Sequence, residues 1–325
     1  VITEAIDQTG MERSEIGFTC SGSADYLTGG AFTFVQMLEA AGAWPPISES
    51  HVEMDGAWAL YEAWVRIQHG DIDTALVYAS GRADPDAIRE ILCLQLDPYY
   101  LLPLWPDYAA MAALQAQAVL AATGRTEADL AEVAVRARAN AKGNPNAVVS
   151  GDFDAAALLA DDYVAAPLRA HDLSAVTSGA AAVVLAADDR ARELCERPAW
   201  ITGIDHRVDP QYPGVRDLAV SPSARMAGEQ AGVGKGPVEV AELAATSTAE
   251  ELVLTDALGL DGDVEISPSG GGLVANPIMV TGLARIGEAF RQINRHGRNR
   301  VVAHASSGPC LQQNLVCVME GSDNG

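Results

Sequence analysis

The same succession of segments is written twice along this chain, and that duplication constrains the fold more than any single motif. The first copy passes from SHVEMDG (50–56) through a helical stretch, a break at Gly70-Asp71 and a hydrophobic run to Ser80-Gly81. The second passes from VEISPSGGG (264–272) through a helical stretch from Pro277, a break at His296-Gly297 and the strand-like run 300–303 to Ser306-Ser307-Gly308. In the first helix, residues 57–69 are largely apolar, with Glu62, Arg66 and His69 forming a narrow polar strip, which predicts burial between layers. In the second, Met279, Leu283, Ile286, Phe290 and Ile293 recur at three- and four-residue steps on one face. Short strand-like runs at 16–20, 73–79, 179–186 and from 200 alternate with these helices. Repeated strand–helix–strand units predict mixed, mostly parallel sheets covered by helices.

Between the copies, the alternation is interrupted by an aromatic and Pro-rich stretch, LDPYYLLPLWPDY (96–108), followed by helix-favouring sequence to residue 142. The expected division is an N-terminal half (1–81 with 152–187), an inserted loop domain (82–151) and a C-terminal half (188–325). With 325 residues and 49% hydrophobic content, the chain can bury a large core.

A net charge of −23, from 44 acidic and 21 basic residues, excludes binding of nucleic acid or anionic membranes through general electrostatics. A local basic pocket for a phosphorylated ligand is still allowed. The five cysteines (20, 93, 195, 310, 317) form no CxxC pair, which suits a reducing compartment, and the six histidines form no HExxH cluster. No apolar run reaches membrane-spanning length. A cytoplasmic protein without a metal centre is expected.

Four segments, in order, resemble the thiolase superfamily, particularly its sterol-carrier-protein-like branch. Glu53-Met54-Asp55-Gly56 stands where thiolases have CxxG opening a buried helix. SAVTSGAAAVVLAA (174–187) is similar to their NDGAAAVVL strand, and SGGGLVANPIMVTGLARI (269–286) to NGGAIALGHPLGASGARI. The stretch 304–318 falls on their C-terminal active-site loop and last strand. Within that superfamily, HVEMDGAWALY, QLDPYYLLPLWPD, Asn276-Pro277 and HASSGPCLQQNLVCVMEG are most like the steroid side-chain aldolases of actinobacteria.

The resemblance implies a five-layered αβαβα thiolase-like fold, a homodimer, CoA thioesters as ligands and no cofactor beyond the CoA that the substrate carries. It further implies a DUF35-type (OB-fold) partner in a heterotetramer. The reaction implied is retro-aldol cleavage of a 17-hydroxy steroid acyl-CoA to a 17-ketosteroid and propionyl-CoA. Thiolases begin with a strand ahead of their first helix, whereas residue 1 already lies near that helix, so a preceding strand is expected upstream.

Thiolysis needs a thiolate nucleophile and an acid–base partner. Here the nucleophile position falls on Glu53, or on Asp55 with a two-residue slip, and the family's GHP histidine falls on Asn276. The NEAF or HDCF motif falls on Ala244-Ala245-Thr246-Ser247, where no side chain titrates near neutrality. A retro-aldol step asks for less, namely a base for the hydroxyl proton and donors for the enolate oxygen. The only lysines, Lys142 and Lys235, lie in loops and offer no Schiff base.

Glu53 and Asp55 are candidate bases, with a first-turn helix role as the structural alternative. Asn276 followed by Pro277 has the form of an N-cap and first helical position, and it could also donate to an enolate. His304 is a further catalytic candidate at the end of a buried strand. Ser307 and Gly308 are expected to supply backbone donors. Tyr99, Tyr100, Trp105 and Tyr108 are expected to line a sterol site, with Tyr100 a possible acid. Two rival readings are a catalytically inactive scaffold that binds acyl-CoA and a DUF35 partner, and a divergent thiolase using Cys310.

Overall fold

The computed structural model of the protein describes residues 1–28, 30–42, 46–82 and 87–321. Nine strands form its two principal sheets. The first contains β1 (Phe18–Gly22), β2 (Glu49–Val52), β3 (Thr74–Gly81) and β4 (Gly179–Ala186), in the order β2-β1-β3-β4. The second contains β5 (Trp200–Val208), β6 (Val240–Glu242), β7 (Glu265–Ile266), β8 (Arg300–Ser307) and β9 (Gln313–Glu320), in the order β7-β6-β8-β9-β5. Among the described residues, six helices have ten residues or more: α1 (Gly56–His69), α2 (Tyr108–Thr123), α3 (Glu127–Asn140), α4 (Pro222–Ala231), α5 (Thr248–Leu258) and α6 (Thr281–Asn294).

The duplication read from the sequence is repeated in strand pairing. In the first sheet, β2 and β3 flank β1 in parallel and β4 runs antiparallel to β3. In the second, β7 and β8 flank β6 in parallel and β9 runs antiparallel to β8. The sheets are therefore mixed, with a parallel part and an antiparallel part in each half. β5 extends the second sheet beyond β9, whereas β4 is the edge of the first.

Period-two alternation places every other strand residue on the inner face. Ala75, Val77 and Ala79 of β3 and Val301, Ala303 and Ala305 of β8 point into one core. There they meet Ala57, Leu60 and Ala63 of α1 and Leu283, Ile286, Ala289 and Ile293 of α6. The intervening residues point outward: Leu76 and Tyr78 pack against Ile2 and Ile6, and Val302, Val316 and Val318 pack against α4 and α5. Helix, sheet, paired helices, sheet and helix thus form the five layers. All residues of the central cluster are essentially buried, at roughly 1.5–3 kcal/mol for each large aliphatic side chain.

The paired central helices touch because their first turns carry glycine. A Cβ on Gly56 would stand 2.7 Å from the Ala79 Cβ and 2.8 Å from Leu283 Cδ2. A Cβ on Gly282 would collide with the Ala305 Cβ and lie 2.6 Å from Asp55 Oδ1. The segment between β3 and β4 carries α2 and α3. Ala112, Ala113 and Ala116 of α2 and Leu130 of α3 pack with Leu168 and with Ala249 of α5, so this segment roofs the carboxyl end of the second sheet.

One expected boundary is corrected. Asn276-Pro277 does not open the second central helix, which begins at Thr281. Asn276 and Pro277 instead pair in parallel with Val176 and Thr177, because the Asn276 amide is taken by the Ala175 carbonyl at 2.8 Å.

Candidate functional site

Ligands in open α/β folds gather beyond the carboxyl ends of the strands, and a cavity of about 150 Å3 lies there under the loop segment. Its floor comprises Asp55, Met279 and Thr281 at the central helix starts, Ala244 and Thr246 after β6, and Ser306, Ser307 and Gly308 at the end of β8. Its roof includes Leu92, Gln95, Leu96, Pro106, Tyr108, Met111 and Ala112. Two wall residues, Met279 (φ 71) and Cys310 (φ 54), hold left-handed backbone conformations. Such strain in non-glycine residues concentrates at functional sites.

Asp55 is 3% exposed and caps both central helices. Its Oδ1 accepts from the amides of Ala57 (2.8 Å) and Leu283 (3.0 Å), and its Oδ2 from Gly282 (2.9 Å). Burial pushes this carboxyl up, while the three amides pull it back towards the charged form. Two helix N-termini make an anion site, and here the protein fills it with its own carboxylate. Asp55 is a bolt between the halves, with both oxygens occupied.

Asn276 is held in the wall of the cavity. Its Oδ1 accepts from Thr281 Oγ1 at 2.7 Å, and its Nδ2 donates to Ser174 Oγ at 3.0 Å. Fixing Oδ1 on a hydroxyl donor sets the orientation of the amide and gives its NH2 group to Ser174, and Asn276, Ser174 and Thr281 all line the cavity. That arrangement can stabilise an oxyanion. Ser307, Gly308 and Tyr108 also line the space.

Glu250 is the cavity residue that the sequence reading passed over. It is 4% exposed, in the first turn of α5, and its Oε2 accepts from the Thr246 amide and the Thr246 hydroxyl, each at 2.7 Å. Burial pushes its carboxyl up, against those two bonds and the pull of the Ser247 amide. The sequence signal was present in Thr246-Ser247-Thr248-Ala249-Glu250, a capping-box pattern in which the glutamate reaches back to the helix start. Cys310 stands on the same wall, with its thiol pushed up to about 12 by burial and then by Glu250, against a smaller opposing effect of Arg216.

Three groups of expected site residues lie elsewhere. Glu53 is outside the cavity: its carboxylate is taken up by the Asp25 amide, from which it accepts at 2.5 Å, and by His51 Nε2 at 3.2 Å. His304 is fully buried on the outer face of β8, the face of Val302, where its Nε2 lies 2.9 Å from Asn314 Oδ1. Burial lowers its pKa to about 4. Tyr99, Tyr100 and Trp105 are exposed, Tyr99 by 81%, and are absent from the cavity wall. Tyr100 packs its ring 5.7 Å from that of Tyr212. Of the four aromatic candidates, only Tyr108 reaches the cavity.

This architecture is a thiolase-like fold. It superposes on a solved structure described as an Ltp2-ChsH2(DUF35) aldolase with a TM-score of 0.81, at 21% identity, over 100% of this chain and 92% of the other. An acetyl-CoA acetyltransferase from Bacillus anthracis gives a TM-score of 0.78 at 18% identity, over 99% and 91% of the two chains. By sequence, the chain is similar to benzoylsuccinyl-CoA thiolase subunit BbsB from Thauera aromatica, 27% identical over 233 residues. It is also similar to an acetyl-CoA acetyltransferase from Methanothermobacter thermautotrophicus, 27% identical over 230 residues. Each match takes in 62% of this chain, and it spans 60% and 58% of those relatives respectively. No profile of a known protein family matches the chain. Among the described residues, no helix is long and apolar enough to cross a membrane.

Proposed function

We propose that the protein cleaves a β-hydroxyacyl-CoA by a retro-aldol step, releasing a ketone and a shorter acyl-CoA. The observation that carries this reading is the cavity itself. Its wall offers oriented donors in Asn276 and Ser174, while its one thiol is held protonated. A thioester enolate could be stabilised there, and a thiolate able to take an acyl group is missing. Asn276, with backbone amides at Ser307 and Gly308, would hold the thioester oxygen, and CoA would arrive as part of the substrate.

The substrate we favour is a 17-hydroxy steroid acyl-CoA, cleaved to a 17-ketosteroid and propionyl-CoA. A cavity of about 150 Å3 is smaller than the roughly 300–1,000 Å3 of sites that enclose drug-sized ligands. The steroid nucleus would accordingly rest outside it, on the exposed side chains of Tyr99, Tyr100, Leu104 and Trp105. A homodimer is part of the same proposal, and so is a DUF35-type partner, the latter supported by the DUF35 protein named with the aldolase of like fold.

The test is incubation of the chain, with and without an OB-fold DUF35 protein, with a tertiary-hydroxy acyl-CoA. Release of a ketone and a shorter acyl-CoA is expected, and no release with either preparation would refute the proposal. A second reading, an inactive scaffold that binds acyl-CoA, is favoured by the commitment of Asp55 to two helix caps. Binding of the CoA ester without turnover would select it.

A further inference from the structure

We infer that Glu250 carries the proton in this site, taking it from the substrate's hydroxyl and returning it to the α-carbon; this rests on the retro-aldol reading above.

Four titratable side chains line the cavity: Asp55, Tyr108, Glu250 and Cys310. Asp55 has both oxygens engaged by buried amides, so proton uptake there would break a helix cap. Cys310 is a buried thiol whose Sγ donates to the Met111 carbonyl at 3.4 Å. Glu250 differs from both. Thr246 donates twice to its Oε2 and the Ser247 amide also draws on the carboxyl, while no hydrogen bond to Oε1 is described. Thr246, itself in the cavity wall, fixes the carboxyl in place without occupying its second oxygen. Burial raises its pKa, so this carboxyl keeps a proton more readily than an exposed one, as a group that both takes and returns a proton must.

The step balances on this one group. Oε1 as carboxylate takes the β-hydroxyl proton, the carbon–oxygen double bond of the ketone forms, and the Cα–Cβ bond breaks. The released electron pair passes through Cα to the thioester oxygen as an enolate. The same carboxyl then returns its proton to Cα and is regenerated. The hydroxyl oxygen and Cα are separated by a single carbon, so one carboxyl reaches both. No second acid or base is required, and nothing is oxidised or reduced.

The experiment compares the full chain with its Glu250→Gln variant, which keeps an oxygen for Thr246 but carries no titratable proton. Two readouts are used: cleavage of a tertiary-hydroxy acyl-CoA, and incorporation of deuterium at the α-carbon of propionyl-CoA in D2O. Both are expected to fall at least about 100-fold in the variant, with propionyl-CoA binding unchanged within about threefold. Cleavage by both proteins at similar rates overturns the role of Glu250 and leaves the retro-aldol reading standing. Exchange by the parent without cleavage, lost in the variant, keeps the role and removes that reading. Neither activity in the parent overturns both. Should Glu250→Gln not fold, Glu250→Asp withdraws the carboxyl by one methylene. An intermediate loss supports the role, and a full rate overturns it.

Discussion

The amide of Gly282 donates to Asp55 Oδ2 at 2.9 Å across 227 residues of sequence, so one carboxylate closes the first turns of helices from both halves. Ala57 and Leu283 donate to its other oxygen. The partial positive charges of two helix N-termini converge on it, and a substrate anion cannot occupy the same place. In a duplicated fold, this contact also sets the register of one half against the other.

Asp55→Ala leaves three buried amides without their acceptor. At about 1–3 kcal/mol for each buried polar group left unpaired, the loss in unfolding free energy is expected to be at least about 3 kcal/mol. Asp55→Asn retains one acceptor and turns an NH2 towards an amide, so an intermediate loss is expected. Urea titration measures both, and a change under about 1 kcal/mol for Asp55→Ala would show that the bolt is dispensable.

Gly282→Ala tests the close approach independently of charge. Its Cβ would meet the Ala305 Cβ and lie 2.6 Å from Asp55 Oδ1, and neither neighbour is the end of a flexible chain. Overpacking of this kind costs roughly 1–3 kcal/mol. A thermal midpoint as high as that of the parent would mean that the helices can part without penalty.

Much of this frame was legible because buried repeats leave strong patterns. The helix α1, the strand β4 and the duplicated succession followed from apolar periodicity and glycine placement. The site was less legible, because which face a strand presents depends on its register in the sheet. His304 stands three residues before Ser307 yet points to the opposite layer from the central helices. Asn276-Pro277 had the form of a helix start, and strand pairing with Val176 and Thr177 overrode that local preference. Tyr99 and Tyr100 were read as pocket aromatics, although an aromatic run alone cannot say which side of a loop faces inward. Glu250 was missed because it belongs to a helix cap, which looks structural in sequence.

Glu53 and Asn276 should separate cleanly in activity. Glu53 is held at the surface by Asp25 and His51, so Glu53→Gln should keep cleavage within about threefold. Loss of one donor to a developing oxyanion costs about 100-fold or more in kcat, the decrease expected for Asn276→Ala. Steady-state kinetics on one hydroxyacyl-CoA decide it. Equal activity in both variants would move the enolate site away from Asn276, and a collapse in Glu53→Gln would bring residue 53 back into the chemistry.

Cys310 should be chemically quiet. With its thiol pushed up to about 12, the thiolate fraction at neutral pH is on the order of one in 100,000. Iodoacetamide is therefore expected to leave Cys310 unlabelled in the folded protein, by peptide mass spectrometry, and to leave cleavage intact. Rapid labelling that also abolishes thiolysis would revive a thiolase mechanism through this residue.

His304 should make the fold sensitive to mild acid. Asn314 Nδ2 donates to Ser221, Ser223 and the Leu311 carbonyl, so its Oδ1 faces Nε2 of the histidine as an acceptor. Nε2 therefore carries the hydrogen, and a second proton would go to Nδ1, which has no partner among the described residues. The folded pKa of about 4 lies below the unfolded value of about 6.5. Above pH 6.5 both states hold a neutral ring and the contribution is complete. Below it the unfolded chain binds a proton that the folded chain refuses, so stability is lost as pH falls towards 4. A gap of that size corresponds to about 3 kcal/mol. His304→Gln can keep the bond to Asn314 without titrating, so its unfolding free energy should decline less between pH 6.5 and 4 by about that amount. Parallel pH curves for the two proteins would show that His304 takes up its proton without opening the fold.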